Sequence, residues 1–403
     1  MIQDIDKELS KSKSDALIII GDSTYGNPSL AYAVGAVATR GGIYIKNTGN
    51  KPLLIVSEID LGTSRKGIVQ DIRPYSQFGY LGLAKELGET KAKIEVCVRA
   101  LKELKVKGKV CLAGKVEAGT ALNWAEYLKG KGYSISLDED MVDRVRMNKD
   151  NTEIDRIRNV GRKTEKVVLA TIKMLTGCKT DKEGKLKSDK GKNLTVGDVK
   201  AFIRMRLAEE NLVATEDTIF APGAEGADPH NPGEEATVIR TNIPIVYDIF
   251  PQEVGGYCFD TTRTIVIGKA SAEVKKAYND VLESQLLALD AIKTGVQARE
   301  VMKKVCDFLA TRGHHTPAYY TEKNVPMTDG FIHGLGHGVG LTIGEPPYLR
   351  LTSNETLSEG SVTTVEPGVY YPGKFGVRVE DIAVARKDRA ENLSTLPKEL
   401  EVS

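Results

Sequence analysis

Residues 331–341 read Phe-Ile-His-Gly-Leu-Gly-His-Gly-Val-Gly-Leu, and the interpretation of the chain begins with this glycine-rich stretch. Its alternating glycines remove side chains from around His333 and His337, so that other groups can approach both imidazoles closely. A single histidine is more often a hydrogen-bonded core residue, but this pair favours a ligand and a contact residue side by side. The chain has 5 histidines, all between His230 and His337, so polar chemistry is expected in this region.

Acidic residues in strand-like segments surround this stretch. A buried carboxylate is costly to desolvate unless it is paired with a cation or bound to a metal. Metal binding by the whole set is one interpretation, and it implies hydrolytic chemistry. The other is ordinary pairing, in which one aspartate caps a turn, the other pairs with Arg263, and Glu380 pairs with Arg378. The acidic residues concerned are Asp248, Asp260, Glu366 and Glu380.

The composition excludes several classes of protein. The 403 residues are 41% hydrophobic and carry 56 basic and 55 acidic residues, which predicts two globular domains and no nucleic-acid or membrane-surface partner. No apolar run approaches the length of a membrane span, and the polar N-terminus lacks the apolar core of a signal peptide. The 5 cysteines are scattered, which predicts free thiols and a cytoplasmic location.

The first part of the chain, residues 1–147, is predicted to be a small α/β domain. A strand is expected at 15–21, a helix at 27–38, two strands within 41–60 around a turn at 47–50, and a strand–helix–strand unit at 109–137. No cluster of metal-binding residue types occurs there. This part is expected to act as a scaffold, as a wall of the substrate site or as a dimerisation surface.

The second domain is predicted to span residues 148–403. Asn151 or Thr152 is expected to cap a helix beginning at Glu153, and further helices are expected at 195–211, 272–293 and 295–312. The charged segment 176–193 is expected to be a solvated loop, with a basic partner-binding patch as the less favoured alternative. The remaining segments are β-rich, and a mixed sheet covered by helices fits this alternation.

Four segments in their order along the chain resemble a known family. They are GYCFDTTRT (256–264), FIHGLGHGVGL (331–341), TVEPGVYYPG (364–373) and GVRVED (376–381). They resemble the prolidase and aminopeptidase P (Xaa-Pro peptidase) family of the pita-bread metallopeptidase superfamily, over about residues 150–390. The resemblance implies an α/β (α+β) fold with a small creatinase/prolidase-like N-terminal domain and a C-terminal pita-bread catalytic domain.

The same resemblance implies a two-metal site. Asp248 would bind one ion, Asp260 and Glu380 would bridge both, and His337 and Glu366 would complete the second site. The pair of ions would be Mn²⁺, with Co²⁺ or Zn²⁺ as alternatives, and would hold a bridging hydroxide. Glu366 would relay the proton to the leaving nitrogen.

Further residues match positions on the substrate side of the family's site. His230 and His333 would serve as catalytic and substrate-binding histidines, and Arg378 would orient a ligand carboxylate from behind. Arg350 is a candidate clamp for the free carboxylate of a dipeptide, although a solvated surface arginine is an equal alternative. The expected substrate is a small peptide with proline at its second position, and the expected assembly is a homodimer.

Two features depart from the family's pattern. The family usually has a histidine seven residues after the ligand histidine, where this chain has Gly344. The first two aspartates, Asp248 and Asp260, are twelve positions apart, one more than usual. The leading hypothesis is an Xaa-Pro dipeptidase or aminopeptidase, and the alternative is a catalytically silent or creatinase-like member of the same fold.

Overall fold

A computed structural model describes residues 2–35, 39–136, 138, 140–321 and 325–403. The chain divides into two units, Met1–Arg146 and Met147–Ser403. Both units combine helices with sheets, so the predicted mixed α/β class is confirmed. Among the residues described, no helix is both long and apolar enough to cross a membrane. All five cysteines are free thiols, as their spacing predicts.

The first unit is built on a six-stranded sheet in the order β4-β3-β2-β1-β5-β6. Its strands are β1 (Ala16–Gly21), β2 (Gly42–Asn47), β3 (Leu53–Val56), β4 (Asp71–Pro74), β5 (Lys109–Ala113) and β6 (Ser134–Ser136). Its helices are α1 (Ile2–Ser12), α2 (Pro28–Val34), α3 (Leu61–Ser64), α4 (Tyr80–Leu87), α5 (Glu89–Glu103), α6 (Ala118–Gly130) and α7 (Met141–Arg146).

The sequence explains the centre of this sheet. β1 is apolar at nearly every position and lies between β2 and β5, so its side chains are buried on both faces. The predicted turn between β2 and β3 is confirmed, with Gly49 at a φ of 75°. The predicted helix at 27–38 ends early, because Gly35 adopts a left-handed conformation after α2. Residues 36–38 and 137, at the ends of two predicted elements, lie outside the described residues.

The second unit contains four α-helices among its described residues, besides a short 3-10 helix at Gly223–Ala227. They are α8 (Asn151–Thr176), α9 (Val196–Glu209), α10 (Ala272–Ala291) and α11 (Ala298–Thr311), close to the predicted ranges. The cap of α8 is Asp150 and not Asn151 or Thr152, so that prediction is wrong by one residue. The Asp150 carboxylate accepts the backbone N–H of Glu153 at 2.9 Å, and the Glu153 carboxylate accepts that of Asp150 at 3.0 Å.

The strands of this unit form two larger sheets instead of one. The first has the order β10-β11-β13-β21 and the second the order β15-β14-β16-β19-β20. These strands are β10 (Ile219–Pro222), β11 (Pro244–Ile249), β13 (Thr261–Ile267), β14 (Gly336–Val339), β15 (Ile343–Leu349), β16 (Val362–Val365), β19 (Asp381–Ala385), β20 (Ala390–Asn392) and β21 (Glu401–Val402).

Three two-stranded sheets are also present among the described residues of this unit. β12 (Pro251–Glu253) pairs with β9 (Leu212–Ala214), and β17 (Gly368–Tyr371) pairs with β18 (Phe375–Arg378). The charged segment 176–193, predicted as a loop, contains a short hairpin of β7 (Lys179–Thr180) and β8 (Leu186–Lys187). Helices α10 and α11 pack with residues of β16, β18 and β19 into one apolar core, which supports the sheets from one side.

Candidate metal centre

Two neighbouring strands bring the two aspartates together. Asp248 lies in β11, and Asp260 immediately precedes β13. The strands pair antiparallel with Asp248 opposite Thr262, so both aspartates lie at the same end of the pair. Glu380 joins them across the sheets, because its backbone N–H donates to the Thr262 carbonyl at 3.0 Å and its carboxylate accepts the Thr262 hydroxyl at 2.7 Å.

The glycine-rich stretch supplies the histidine. The pairing of β14 with β15 shifts register between Gly336 and Gly338, which bends the strand at His337. A Cβ atom at Gly336 would collide with the carbonyl oxygen of Thr364, so the close approach of β16 requires glycine there. The imidazole Nε2 of His337 lies 3.4 Å from Glu366 Oε1 and 3.7 Å from Asp260 Oδ2.

These side chains form a set that could hold metal ions. One potential ligand atom from each of Asp260, His337 and Glu380 lies within 4.8 Å of the other two. The Nδ1 atom of His337 lies 3.1 Å from the Gly338 carbonyl and 3.2 Å from the Gly344 nitrogen, and these backbone contacts orient the ring with Nε2 facing the carboxylates. Carboxylate oxygens with one imidazole nitrogen suit divalent cations such as Mn²⁺.

Burial makes the acidic cluster unfavourable without a cation. Desolvation, reinforced by repulsion from neighbouring carboxylates, raises the pKa of Asp260 and of Glu380 well above their ordinary values. Desolvation also raises the pKa of Asp248, against the opposing effect of Arg378. Oδ1 of Asp248 and Oδ1 of Asp260 are buried and have no hydrogen-bond partner among the described residues. These two free oxygens and the crowded charges fit bound divalent ions.

We expect metal-free protein to be more stable at mildly acidic pH than at neutral pH. Because the folded-state pKa values of Asp260 and Glu380 are raised, their stabilising contribution is complete below the ordinary carboxyl value of about 4 and is lost as pH rises through the raised values. Thermal unfolding in EDTA between about pH 5 and about pH 8 measures this, and a divalent ion should restore stability at the upper end. Metal-free Asp260→Asn should depend less on pH, and an identical dependence would contradict the expectation.

Arg378 pairs with Asp248 and not with Glu380. Its guanidinium donates to Asp248 Oδ2 at 2.7 Å, to the Tyr370 hydroxyl at 2.8 Å and to Thr262 Oγ1 at 3.1 Å. The alternative in which Arg378 neutralises Glu380 therefore does not hold. Since the guanidinium occupies only Oδ2 of Asp248, it fixes the carboxylate while leaving Oδ1 free.

Arg263 is likewise not a partner of Asp260. Its guanidinium lies 2.8 Å from Asp381 Oδ1 and also donates to the Glu380 carbonyl at 2.6 Å. Arg263 and Asp381 are fully buried, so this ion pair belongs to the core behind the cluster. The ordinary-pairing interpretation therefore leaves Asp260 without an arginine or lysine partner among the described side chains.

Tyr370 is the residue at the site that sequence reasoning missed. It is fully buried, and burial raises its pKa to about 12. Its hydroxyl lies 2.9 Å from Nε2 of His333, whose Nδ1 lies 2.7 Å from the Gly334 carbonyl. Burial also lowers the pKa of His333, so the ring is held neutral, with Nδ1 donating to Gly334 and Nε2 accepting from Tyr370. The available signal was a pair of tyrosines, Tyr370 and Tyr371, four and five residues after Glu366 in β17.

His230 and Arg350 lie at the exposed side of the same cavity. The cavity has a volume of about 530 Å³. His230 is exposed, and the exposed Arg350 guanidinium stacks on the Tyr348 ring at 4.4 Å from its centroid. All nine residues singled out in the sequence line this cavity: His230, Asp248, Asp260, His333, His337, Arg350, Glu366, Arg378 and Glu380.

Gly344, at the position of the usual family histidine, also lies near the cluster. It has a φ of 80°, and its N–H lies 3.2 Å from Nδ1 of His337. A Cβ atom there would meet none of the described atoms within 4 Å, so they leave space for a side chain. The left-handed backbone nevertheless disfavours any residue other than glycine.

Solved peptidase structures share this fold. The X-Pro aminopeptidase of Thermotoga maritima superposes with a TM-score of 0.76 at 25% identity, covering 100% of this chain and 99% of that one. The Xaa-Pro dipeptidase of Bacillus anthracis superposes with a TM-score of 0.79 at 23% identity, covering 100% and 99%, which shows the fold alone. The predicted pita-bread fold is thereby confirmed.

Sequence relatives include named dipeptidases. The Xaa-Pro dipeptidase of Pyrococcus horikoshii is 27% identical over 398 residues, 97% of this chain and 96% of that protein. The probable dipeptidase PepE of Mycobacterium tuberculosis is 31% identical over 264 residues, 66% of this chain and 63% of that protein. The chain thus spans less than two thirds of this mycobacterial relative. Residues 155–387, more than half of the chain, match the profile of metallopeptidase family M24, and the chain therefore belongs to this family, as its motifs predict.

Proposed function

We propose that the protein is a dinuclear metal-dependent hydrolase of the Xaa-Pro peptide bond. The observation that carries this proposal is the convergence of five potential metal ligands on one cavity. Two of their buried carboxylate oxygens have no hydrogen-bond partner in the described part of the chain. The family membership and the names of the relatives support the reaction class. The proposed metal ligands are Asp248, Asp260, His337, Glu366 and Glu380.

The ligands divide between two ions in this proposal. Asp248 would hold one ion, Asp260 and Glu380 would lie between both, and His337 with Glu366 would hold the second. Mn²⁺ suits this oxygen-rich set best, and Co²⁺ or Zn²⁺ could replace it. When bound, the ions supply Lewis-acid activation of a water molecule and of the scissile carbonyl.

The side chains then handle the proton and the substrate. Glu366 is partly exposed and lines the cavity, and its Oε1 accepts a hydrogen bond from the Thr364 hydroxyl at 3.1 Å. It would take the proton from the attacking water and deliver it to the leaving nitrogen. His230 would hydrogen-bond the substrate near the reacting amide. His333 would do so by exchanging the Tyr370 hydroxyl at its Nε2 for the substrate, while Nδ1 stays on the Gly334 carbonyl. Arg378 would hold Asp248 in its ligand orientation.

A proline substrate fits this chemistry. The bond before proline is a tertiary amide without an N–H, so peptidases that bind the backbone as a strand lose a hydrogen bond there. A cavity that grips the free amine and the proline ring does not depend on that N–H. Hydrolysis of Ala-Pro and of Ala-Pro-Ala, with Mn²⁺ and with Co²⁺, is the direct test. Absence of turnover on both peptides with either metal would contradict the proposal.

Arg350 would separate dipeptidase from aminopeptidase activity. If its guanidinium binds the free carboxylate of a dipeptide, Arg350→Ala should raise KM for Ala-Pro about tenfold and affect Ala-Pro-Ala less. Arg350→Lys keeps the positive charge but cannot form the two parallel hydrogen bonds of a guanidinium. Its KM for Ala-Pro should therefore lie between those of wild type and Arg350→Ala. Steady-state kinetics on both peptides measure this, and an equal change for both would argue for a surface arginine without such a role.

The alternative function is a catalytically silent or creatinase-like member of the same fold. Gly344 favours the silent protein, because no side chain stands at the position of the usual family histidine. The complete set of five potential ligands argues against the creatinase-like protein. Metal analysis separates the candidates. Two equivalents of bound metal without turnover would favour the silent protein, and no bound metal under any loading would favour the creatinase-like protein.

Three further properties belong to the proposal. Residues 1–147 would form the creatinase/prolidase-like domain and residues 148–403 the catalytic domain. The free cysteines support a cytoplasmic location. A homodimer is proposed as the assembly, and light scattering after size-exclusion chromatography would test it.

A further inference from the structure

Gln285 is a polar side chain buried inside the apolar core of the second unit. It lies on α10 and is completely buried, on the same face as Val281 and Ala288 of that helix. The surrounding core cluster also contains Val365 and Val379, each with 0% exposure. A primary amide in such surroundings is unfavourable unless its hydrogen-bonding groups are used. Its contacts therefore indicate why it is there.

The amide donates to two separate backbone segments. Nε2 of Gln285 lies 3.1 Å from the carbonyl oxygen of Val365 and 3.2 Å from that of Val379. Oε1 has no hydrogen-bond partner within the described part of the chain. The orientation follows from the acceptors, because the reversed amide would place its oxygen against two carbonyl oxygens.

The two acceptors precede two of the proposed metal ligands. Val365 is followed by Glu366, and Val379 by Glu380. The carbonyl of one residue and the N–H of the next belong to one planar peptide group. At the opposite edge of each peptide group, the N–H also has a partner. The N–H of Glu366 donates to the Leu335 carbonyl at 2.9 Å, and the N–H of Glu380 donates to the Thr262 carbonyl at 3.0 Å. Each peptide plane is thus held at its nitrogen by a neighbouring segment and at its oxygen by Gln285.

We propose that Gln285 is a positioning residue for the metal centre. One amide, with its two N–H groups, ties together the peptide planes from which Glu366 and Glu380 project. It thereby sets the distance and the relative orientation of Glu380, which is proposed to lie between both ions, and Glu366, which is proposed to hold one of them. The inference rests on the proposed function in taking these two glutamates as metal ligands.

The test replaces the amide by an apolar chain of similar length. Gln285→Met keeps the packing volume but leaves both carbonyls without their donor. Affinity for Mn²⁺, measured by calorimetry on metal-free protein, should weaken about 10–100-fold, as for other residues that orient ligands. The visible absorption of the Co²⁺-loaded protein should also change in band position or intensity, because the ligand geometry changes.

Val281→Ala is the matched control. Val281 is one turn away on the same face of α10 and is fully buried. Its apolar side chain cannot hydrogen-bond to the segments that carry Glu366 and Glu380. Its truncation should lower the thermal midpoint but keep wild-type metal affinity and the wild-type Co²⁺ spectrum. An equal loss of affinity in Val281→Ala and Gln285→Met would overturn the inference, because the effect would then be general core damage.

The remaining outcomes are also decisive. If wild type binds metal and Gln285→Met binds it equally well, the positioning role is refuted while the proposed function stands. If wild type binds none, the proposed function fails and the inference fails with it. Gln285→Asn, which keeps the amide but cannot reach both carbonyls, should show the same weakening. If Gln285→Met lacks the native circular dichroism spectrum, Gln285→Asn takes its place in the test.

Discussion

Asp260→Ala is expected to lose bound metal and peptidase activity together. Asp260 lies at the centre of the acidic cluster, with Oδ2 at 3.7 Å from His337 Nε2 and with Oδ1 buried and unpartnered among the described residues. Removing a carboxylate proposed to lie between both ions weakens both sites at once. We therefore expect activity to fall by about three or more orders of magnitude, measured alongside elemental analysis of the purified protein.

The stability of metal-free Asp260→Asn shows whether removing the Asp260 carboxylate unfolds the protein. The buried carboxylates repel one another, and this repulsion contributes to the raised pKa values of Asp260 and Glu380. Asp260→Asn removes one charge at constant volume, so metal-free Asp260→Asn should be at least as stable as metal-free wild type at neutral pH. Glu216→Gln, which removes an exposed carboxylate at the rim, should retain metal and activity. Full metal content in Asp260→Ala would contradict the ligand assignment.

Glu366→Gln is expected to keep metal but lose turnover. The amide oxygen of glutamine can still face the cluster, whereas the amide cannot accept and return a proton at neutral pH. Loss of a general acid–base group typically costs about 10²–10⁴-fold, and the loss should appear in kcat with little change in KM. Steady-state kinetics on Ala-Pro with metal analysis of the same sample provide the measurement.

The outcomes for Glu366→Gln distinguish its two proposed roles. Unchanged turnover would remove the proton relay from the mechanism. Loss of metal together with turnover would show that Glu366 acts chiefly as a ligand. Thr364→Val, which removes the hydroxyl that donates to Glu366 Oε1 at 3.1 Å, should have a smaller effect on kcat because the carboxylate itself remains.

Local sequence patterns predicted the types of the secondary-structure elements and the set of potential metal ligands. The apolar run at 15–21 became β1, and the helical spacing after Glu153 became α8. The motifs around Asp248, Asp260, His337, Glu366 and Glu380 identified side chains that the structure brings to one cavity. This worked because strand and helix periods are local properties, and because motif order along the chain is characteristic of the family.

Element boundaries were less accurate where a single contact decides them. The cap of α8 moved to Asp150, because its carboxylate reaches the N–H of Glu153. The predicted single mixed sheet became two, because β16 pairs with β19 and β14 whereas β13 pairs with β11 and β21. Sequence patterns define which face of a strand is apolar, but not which strand lies next to it.

The sequence alone determined which residues could carry the chemistry, and only the tertiary structure decided how they are partnered. Arg378 pairs with Asp248, 130 positions away, and Arg263 with Asp381, 118 positions away, although closer acidic residues were the expected partners. Gln285 reaches the carbonyls of Val365 and Val379, which precede Glu366 and Glu380, from a helix that has no motif of its own. The physical reason is that a buried charge or amide must find its partner within hydrogen-bond distance, and packing of distant strands sets which groups lie there.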